Sequence, residues 1–346
     1  MARSITEVSA IRTDYKGILE VYGTIPFEQF YYQGGESDAD TVKMKVKSMR
    51  FSADGNSGWR NVIDTFKDAK IRGKQVVKNN TITIRLQGID APELHYESEP
   101  RTKQDENPEI KQRWIYDWFR QYRGAKAVCE LERFLKPYSE SGIISAMVYT
   151  RVDHPNDVFD MYGRFVGDIV LQKDNKNVNH WLAEEGWAFP TYYNSMTKQE
   201  ILDIDSRSKT AMGSSKGVWN GYSNKVVPFD FTLKTPKGKK AKRIDVGLDD
   251  TGNMNLPKIF RRQVDYEIRK NAGEKIGSFV DYLISRKDKC YRTSEFLKGK
   301  NTQTLYLDQF VREDGIIDFK PSQIVFVENN TQVLRDSNDN KIKDWT

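Results

Sequence analysis

Alternation of apolar and polar positions predicts β-strands through the first half of the chain. Residues 17–22 form one candidate strand, and residues 41–47 alternate apolar with basic side chains. Residues 81–86 are rich in β-branched residues, which favour strands. Two further strands are predicted at residues 143–152 and 165–171. Together these strands, with helices between and after them, predict a small β-barrel of mixed strand order.

Apolar residues at helical spacing predict a helix inside this series of strands. Trp59, Val62, Ile63 and Phe66 fall at positions i, i+3, i+4 and i+7, so a single helix is predicted over residues 59–71.

Further helices are predicted from their start and stop signals. One begins at Pro108, a favoured first helical residue. Its apolar face would consist of Ile110, Trp114, Ile115, Trp118, Phe119 and Tyr122. A short helix over 179–185 ends at Gly186. The capping box Thr197-x-x-Glu200 opens another helix.

The composition changes after residue 225. Residues 234–243 carry six basic residues and no acidic one, so residues 226–243 are predicted to be a basic linker. A helix is predicted at 273–285, followed by a β-hairpin of 304–311 and 316–327. Residues 16–225 and 244–335 are therefore predicted to be two domains, the second a smaller α+β unit of unknown role.

Composition and charge are those of a soluble protein with a mildly basic balance. Of the 346 residues, 38% are hydrophobic and 30% charged, and the formal net charge is +6. This balance suits a polyanionic partner without proving one. The N-terminus does not resemble a signal peptide, and no segment is apolar enough to span a bilayer. We therefore expect a cytoplasmic protein with no membrane association.

The strongest chemical signal lies at the end of the predicted strand 81–86. Arg85 interrupts an apolar run, and an arginine there must face solvent or meet an anion. Asp90 and Glu93 follow on a turn that Pro92 stiffens. Two carboxylates beside an arginine could bind a divalent cation and a phosphate together. A salt-bridged surface turn explains the same charges and spacing equally well.

The sequence around this cluster resembles the staphylococcal nuclease family. Arg85-Leu-Gln-Gly-Ile-Asp90-Ala-Pro-Glu93 is similar to the family's signature. Asp40-Thr-Val before it, and Asp160-Met-Tyr162-Gly-Arg164 after it, occur in the family's order. The segments 178–188 and 217–219 resemble the family's later helix and its terminal G-x-W. The resemblance covers residues 16–222 and implies an OB-fold five-stranded barrel with packed helices.

The resemblance also implies a metal site and catalytic residues. One calcium ion would be bound by Asp40, Asp90 and the backbone carbonyl of Ala91. Glu93 would be the general base, or would position the attacking water. Arg85 and Arg164 would hold the scissile phosphate.

Three tyrosines are implied as substrate contacts. Tyr162 would meet a neighbouring phosphate, and Tyr192 and Tyr193 lie about where the family places nucleotide-contacting tyrosines. The implied reaction is calcium-dependent, endonucleolytic hydrolysis of DNA, RNA or both, with low sequence specificity and 3′-phosphate products. The alternative is a catalytically silent module of the same fold that binds nucleic acid or protein. The complete set of charged residues favours the enzyme.

The chain also departs from the compact members of the family. It carries insertions near 51–80 and 97–140, and Met161 stands where the family often has lysine. Nucleic acid is the expected partner, with a protein partner for the C-terminal domain as a further hypothesis. Arg261 and Arg262 could line a basic surface of the C-terminal part, but the acidic residues that follow them favour an ordinary solvated face.

Overall fold

A computed structural model describes most of the chain. The described residues are 8–9, 15, 17–31, 38–98, 118–235, 251–299, 302–328 and 333–345. In chain order the strands are β1 (Val8–Ser9), β2 (Gly17–Pro26), β3 (Thr41–Ser52), β4 (Arg60–Asn61), β5 (Lys70–Ile71), β6 (Lys74–Gln75), β7 (Thr81–Leu86), β8 (Ile89–Asp90), β9 (Trp118–Phe119), β10 (Ile143–Val152), β11 (Phe165–Leu171), β12 (Phe189–Pro190), β13 (Tyr192–Tyr193), β14 (Lys234–Thr235), β15 (Lys289–Arg292), β16 (Thr302–Gln303), β17 (Leu305–Tyr306) and β18 (Ile324–Phe326). The α-helices are α1 (Ile63–Lys67), α2 (Gly124–Leu135), α3 (Val178–Glu184), α4 (Lys198–Gly213), α5 (Pro257–Asn271), α6 (Phe279–Arg286) and α7 (Thr293–Phe296).

Five strands close into a barrel. Their order is β2-β10-β11-β7-β3, and β3 pairs back onto β2 to complete the closure. The pairing of β7 with β11 is parallel, and the other pairs of the barrel are antiparallel. Along β2, β7 and β11 every second side chain is buried, because side chains in a strand point alternately to the two faces. The predicted five-stranded barrel with packed helices is confirmed.

Helices α3 and α4 cover the barrel as predicted. Gly186 adopts a positive φ of 71° just beyond α3, the conformation that ends many helices and that glycine adopts without strain. At the start of α4, the Thr197 hydroxyl accepts a hydrogen bond from the backbone N–H of Glu200. The Glu200 carboxylate in turn accepts one from the backbone N–H of Thr197. None of the described helices is long and apolar enough to cross a membrane.

The single helix predicted over 59–71 is wrong. Arg60 and Asn61 extend the sheet by pairing with the end of β3, and only Ile63–Lys67 is helical. The Asn61 side chain accepts a hydrogen bond from the backbone N–H of Ile63 and so marks the change from strand to helix. Phe66 is fully buried, so its apolar position was interpreted correctly although the element was too long.

The helix predicted from Pro108 lies mainly outside the described residues. Its predicted last turn is wrong, because Trp118 and Phe119 form β9 and pair with Lys234–Thr235. Three of the described helices were missed: α2, α5 and the short α7.

The predicted C-terminal hairpin of 304–311 and 316–327 is also wrong. Its two halves pair with β15 rather than with each other, apart from one bridge between Val311 and Ile317. The turn between them is present and uses Gly315 at a φ of 81°. The helix predicted at 273–285 is observed, but it begins only at Phe279, after the capping residue Ser278.

C-terminal segments pack against the barrel and its helices. Strand β18 pairs in parallel with β13, which follows the barrel. Near the end of the chain, Trp345 stacks on Phe51 of β3 with ring centroids 4.3 Å apart, and meets Phe66 edge-on. The barrel core therefore includes the last described residue of the chain.

Replacement of this terminal tryptophan tests whether the tail contributes to the barrel. Trp345→Ala removes a buried indole and leaves a cavity between Phe51 and Phe66, so we expect the free energy of unfolding to fall by about 3–4 kcal/mol. Trp59→Ala is the matched control, since Trp59 is half-exposed, and it should cost about 1 kcal/mol. If urea denaturation shows that the two variants lose equal free energy of unfolding, the assignment of Trp345 to the core is contradicted.

Candidate active site

The register of the barrel places three motif segments side by side. Arg85 on β7 lies opposite Thr41 of β3 on one side and Val166 of β11 on the other. Asp40 immediately precedes Thr41, and its carbonyl accepts a hydrogen bond from the backbone N–H of Leu86. Residues far apart in sequence therefore meet where β3, β7 and β11 adjoin.

The Arg85 side chain is only 11% exposed and binds two aspartates at once. One guanidinium nitrogen, Nη2, lies 2.6 Å from Oδ1 of Asp90, and the other, Nη1, contacts Oδ2 of Asp40. Asp90 is only 1% exposed and Asp40 is buried as well. Arginine suits this position because its planar fork can satisfy two carboxylates together.

The turn after β7 carries the carboxylates into the site. Gly88 adopts a φ of 77°, and β8 then pairs with Phe189–Pro190 of β12. The backbone N–H of Ala91 donates to Oδ2 of Asp40 at 2.6 Å. This hydrogen bond joins the turn to the end of β3.

Gln121 fixes the backbone of Glu93 from both sides. Its backbone N–H donates to the Glu93 carbonyl at 2.7 Å, and its side-chain oxygen accepts from the Glu93 N–H at 3.2 Å. The Glu93 side chain is 7% exposed, so its carboxylate points into the interior of the site.

A second arginine reaches these carboxylates from helix α5. Nη2 of Arg261 lies 2.9 Å from Oδ2 of Asp90, and Nη1 lies 3.2 Å from Oδ1 of the same residue. Nη1 also contacts Oε1 of Glu93. The expectation of a solvated face for Arg261 and Arg262 is wrong, because both side chains are largely buried in ion pairs.

Helix α5 is held against the same loop by further polar contacts. Asp265 accepts hydrogen bonds from Tyr96 at 3.1 Å and from Ser98 at 2.9 Å. The side-chain N–H of Gln121 donates to the carbonyl of Asn255, just before the helix, at 2.8 Å. The amphipathic spacing of α5 could have revealed the helix, but no local pattern shows which distant groups its arginines meet.

The site holds more carboxyl groups than guanidinium groups. The carboxylates of Asp38, Asp40, Asp90 and Glu93 influence one another, with Arg85 and Arg261 as the guanidinium groups among them. Burial raises the pKa of Glu93 to about 8, because attraction by Arg261 is outweighed by burial and by the neighbouring aspartates.

The two aspartates respond to these surroundings in opposite directions. Burial raises the pKa of Asp40, which the attraction of Arg85 only partly offsets. Burial also acts to raise the pKa of Asp90, but Arg261 and Arg85 outweigh it and hold that pKa below its usual value. Both guanidinium groups therefore stabilise the ionised form of Asp90.

Arg164 and Tyr162 lie at the open side of the site. Nε of Arg164 donates to Oδ2 of Asp160 at 2.6 Å, and its Nη1 lies 3.4 Å from the hydroxyl of Thr41. The Arg164 guanidinium sits 5.5 Å from the centre of the Tyr162 ring, which is 61% exposed. A partly exposed cation near Thr41, with an exposed ring beside it, could meet a large anionic ligand.

The other two predicted tyrosines have different positions. Tyr193 is half-buried, and its hydroxyl interacts electrostatically with Asp90, Arg85 and Arg261. Tyr192 is fully buried, and its hydroxyl is directed to Asp205 at 3.4 Å. The structure therefore brings Tyr193 near the site and does not bring Tyr192 there.

The donor groups fit calcium in chemical type and in charge. Asp40, Asp90 and the carbonyl of Ala91 would supply the oxygen ligands that this ion prefers. The excess of carboxylates would be balanced by a divalent cation. Across the described ranges, however, no three acidic, histidine or cysteine side chains form a ready-made metal cluster. Both carboxylate oxygens of Asp90 form ion pairs with the guanidinium groups of Arg85 and Arg261.

Residues 83–221 are similar to a known protein family. That segment matches the family model described as "Staphylococcal nuclease homologue", and the rest of the chain matches no family model. The resemblance drawn from the motifs is confirmed there, and the match indicates a nuclease-like or nucleic-acid-binding role.

One relative among curated proteins is similar over part of the chain. It is an uncharacterized protein of Methanocaldococcus jannaschii, 27% identical over 145 residues. The similarity covers 41% of this chain and 62% of that protein. Its description assigns no activity that could be carried across.

The raised pKa of Glu93 predicts a pH-dependent cost in stability. The folded state holds this proton more tightly than the unfolded chain, so stability is lost as the pH rises from about 4.5 through about 8. Glu93→Gln removes the titrating carboxyl. With a chelator present, we expect the free energy of unfolding of this variant to rise by about 3–4 kcal/mol relative to that of wild type as the pH increases from 5 to 8.

The control for this prediction is Glu140→Gln, which changes an exposed glutamate on the barrel. Its unfolding free energy should follow that of wild type across the whole pH range. If Glu93→Gln also runs parallel to wild type, the Glu93 carboxyl does not carry the pH dependence.

Proposed function

We propose that this protein is a calcium-dependent phosphodiesterase that hydrolyses DNA, RNA or both. The cleavage would be endonucleolytic, with low sequence specificity and 3′-phosphate products. The observation that carries the proposal is the meeting of buried Asp40, Asp90 and Glu93 with Arg85, beside the partly exposed Arg164. The match of residues 83–221 to staphylococcal nuclease homologues supports the same reaction class.

Glu93 is the proposed general base. Arg261 contacts Oε1 of its carboxylate, and none of the described residues donates a hydrogen bond to Oε2. When Glu93 is ionised, Oε2 would accept a proton from the attacking water while the water oxygen bonds to phosphorus and the bond to the 5′ oxygen breaks. The leaving 5′ oxygen takes a proton from solvent. A positioned carboxylate of this kind contributes about 10²–10⁴ to a rate.

Arg85 and Arg164 would bind the phosphate from two sides. Negative charge builds up on the phosphate oxygens as the water attacks, and guanidinium groups stabilise it where water is excluded. Arg85 is less exposed than Arg164. Arg85 would therefore bind the reacting phosphate from inside the site, and Arg164 would bind the phosphate oxygens that face solvent. Asp40, Asp90 and the Ala91 carbonyl would hold calcium, which supplies additional positive charge to the reacting phosphate when bound.

Low sequence specificity follows from the kind of groups that surround the site. Arg164 and Tyr162 offer a cation and a ring face, which every nucleotide can meet through its phosphate or its base. Tyr193, whose hydroxyl interacts electrostatically with Asp90 and Arg85, would be a further contact for a bound nucleotide. The formal net charge of +6 favours association with a polyanion.

The alternative is a silent module of the same fold that binds nucleic acid without cutting it. Such a module needs neither a base nor the two phosphate-directed arginines. The presence of Glu93, Arg85 and Arg164 in adjoining positions favours the enzyme. Nothing in the similarity to known proteins supports the hypothesis of a protein partner for the C-terminal region.

Cleavage assays with and without calcium test the proposal. Wild type should cut circular single-stranded DNA, linear duplex DNA and RNA when calcium is present, and a chelator should abolish the cutting. Glu93→Gln should lower kcat by about 10²-fold or more, because it removes the base while keeping the shape of the side chain. Cutting of the circular substrate would establish endonucleolytic attack.

The matched control for these assays is Glu140→Gln, the same substitution on the barrel surface, which should keep the wild-type rate. Absence of cleavage by wild type on all three substrates, with nucleic acid still bound in a filter assay, would reject the enzyme in favour of the binding module. Cleavage that persists in the chelator would reject the calcium dependence alone.

A further inference from the structure

Helix α5 delivers an arginine into the candidate active site from outside the region that matches the nuclease family. Arg261 makes three contacts there, two with the carboxylate oxygens of Asp90 and one with Oε1 of Glu93. Asp90 belongs to the proposed calcium site and Glu93 is the proposed base. One guanidinium group therefore connects the two functions.

We propose that Arg261 is a positioning residue of this active site, which holds the carboxylates of Asp90 and Glu93 in a fixed relation to each other. The inference rests on the proposed nuclease function and deepens it. It assigns the complete site to two parts of the chain: the matched region and helix α5. Arg261 acts through Glu93 and Asp90 rather than through direct contact with the scissile phosphate.

The contact with Arg261 suits a positioning role because it involves only one of the two carboxylate oxygens of Glu93. The guanidinium binds Oε1, and among the described residues no donor reaches Oε2. A glutamate has three rotatable bonds, so its carboxylate needs such a partner to stay in one place. Displacement of a reacting group by about 1 Å can cost about 10² in rate.

The placement of α5 is itself fixed by two residues that closely follow Arg261. Asp265, one turn further along, binds Tyr96 and Ser98 in the loop that follows Glu93. Arg262 forms a bidentate pair with Asp288 at 2.6 and 2.8 Å. The helix therefore presents Arg261 to the site from a rigid support.

Arg261 is compatible with calcium in the same site on grounds of charge. Four carboxylates, Asp38, Asp40, Asp90 and Glu93, face the two guanidinium groups of Arg85 and Arg261. When all four carboxylates are ionised, two negative charges remain, which equal the charge of one divalent ion. Removal of Arg261 would leave three, so the site would attract calcium more strongly while Glu93 lost its partner. Binding and turnover should then change in opposite directions.

The test compares Arg261→Gln and Arg261→Lys with wild type in the full chain. Calcium affinity is measured by isothermal titration calorimetry without nucleic acid, and kcat and KM with a fluorophore–quencher single-stranded DNA. For Arg261→Gln we expect kcat to fall by about 10–100-fold with KM little changed. Calcium should bind about 3–10-fold more tightly, because a neighbouring positive charge is gone. Arg261→Lys keeps that charge and should recover part of kcat.

The control on the same helix is Arg269→Gln, since Arg269 pairs with Glu274 near the end of α5 rather than with the site. It should keep wild-type kcat and calcium affinity. Thermal unfolding of each variant identifies any that is simply misfolded.

Three outcomes for Arg261→Gln would overturn the inference while leaving the nuclease function intact. The first is a kcat equal to that of wild type. The second is a rise in kcat together with tighter calcium binding, which would make Arg261 an inhibitory plug. The third is a joint fall in kcat, calcium affinity and melting temperature with no recovery in Arg261→Lys, which would make the contact merely structural. An inactive wild type would reject the proposed function and the inference together.

Discussion

The balance of charge among buried carboxylates and guanidinium groups is the constraint on which the rest of this structure depends. Asp40, Asp90 and Glu93 are withdrawn from water, and burying an ionised carboxylate costs several kcal/mol unless a partner offsets it. Arg85 and Arg261 provide that compensation from opposite sides. These two guanidinium groups are fewer than the carboxyl groups of the site. That surplus is what makes a divalent cation a fitting ligand.

The barrel and the C-terminal segments each contribute one of the two arginines. Arg85 is fixed by the pairing of β7 with β3 and β11. Arg261 depends on α5, which is anchored through Asp265 to the loop beyond Glu93. A chain cut at the end of the matched region would therefore keep the motif residues and lose half of the compensating charge. The burial of Trp345 in the barrel core adds a second dependence on the C-terminal part.

The predictions from sequence succeeded where a local pattern determines the structure. Strands β7, β10 and β11 have the predicted bounds, because each alternates or clusters apolar residues over its whole length. The capping box at Thr197 was sufficient to place the start of α4. The residues of the motif around Asp90 lie together in the fold because they are close in sequence.

The failures concern contacts between distant segments. Apolar spacing at residues 59–71 could not show that Arg60 and Asn61 would pair with β3. The two C-terminal strand candidates both found a partner in β15, a choice that depends on tertiary packing. Arg261 was misjudged for the same reason, since its charged neighbours predict solvent and only the fold shows the carboxylates that it meets. Tyr192 illustrates the opposite error, in which a family position was transferred to a side chain that is buried in the core.

The most direct test of this account is the stoichiometry and location of calcium binding. Calorimetric titration of the full chain with calcium should give one ion per molecule, and Asp40→Asn should weaken the binding by about 10-fold or more, because it removes one charged oxygen ligand. Absence of calcium binding in wild type, or an unchanged affinity in Asp40→Asn, would contradict the claim that the surplus of carboxylates in this site exists to hold a divalent cation.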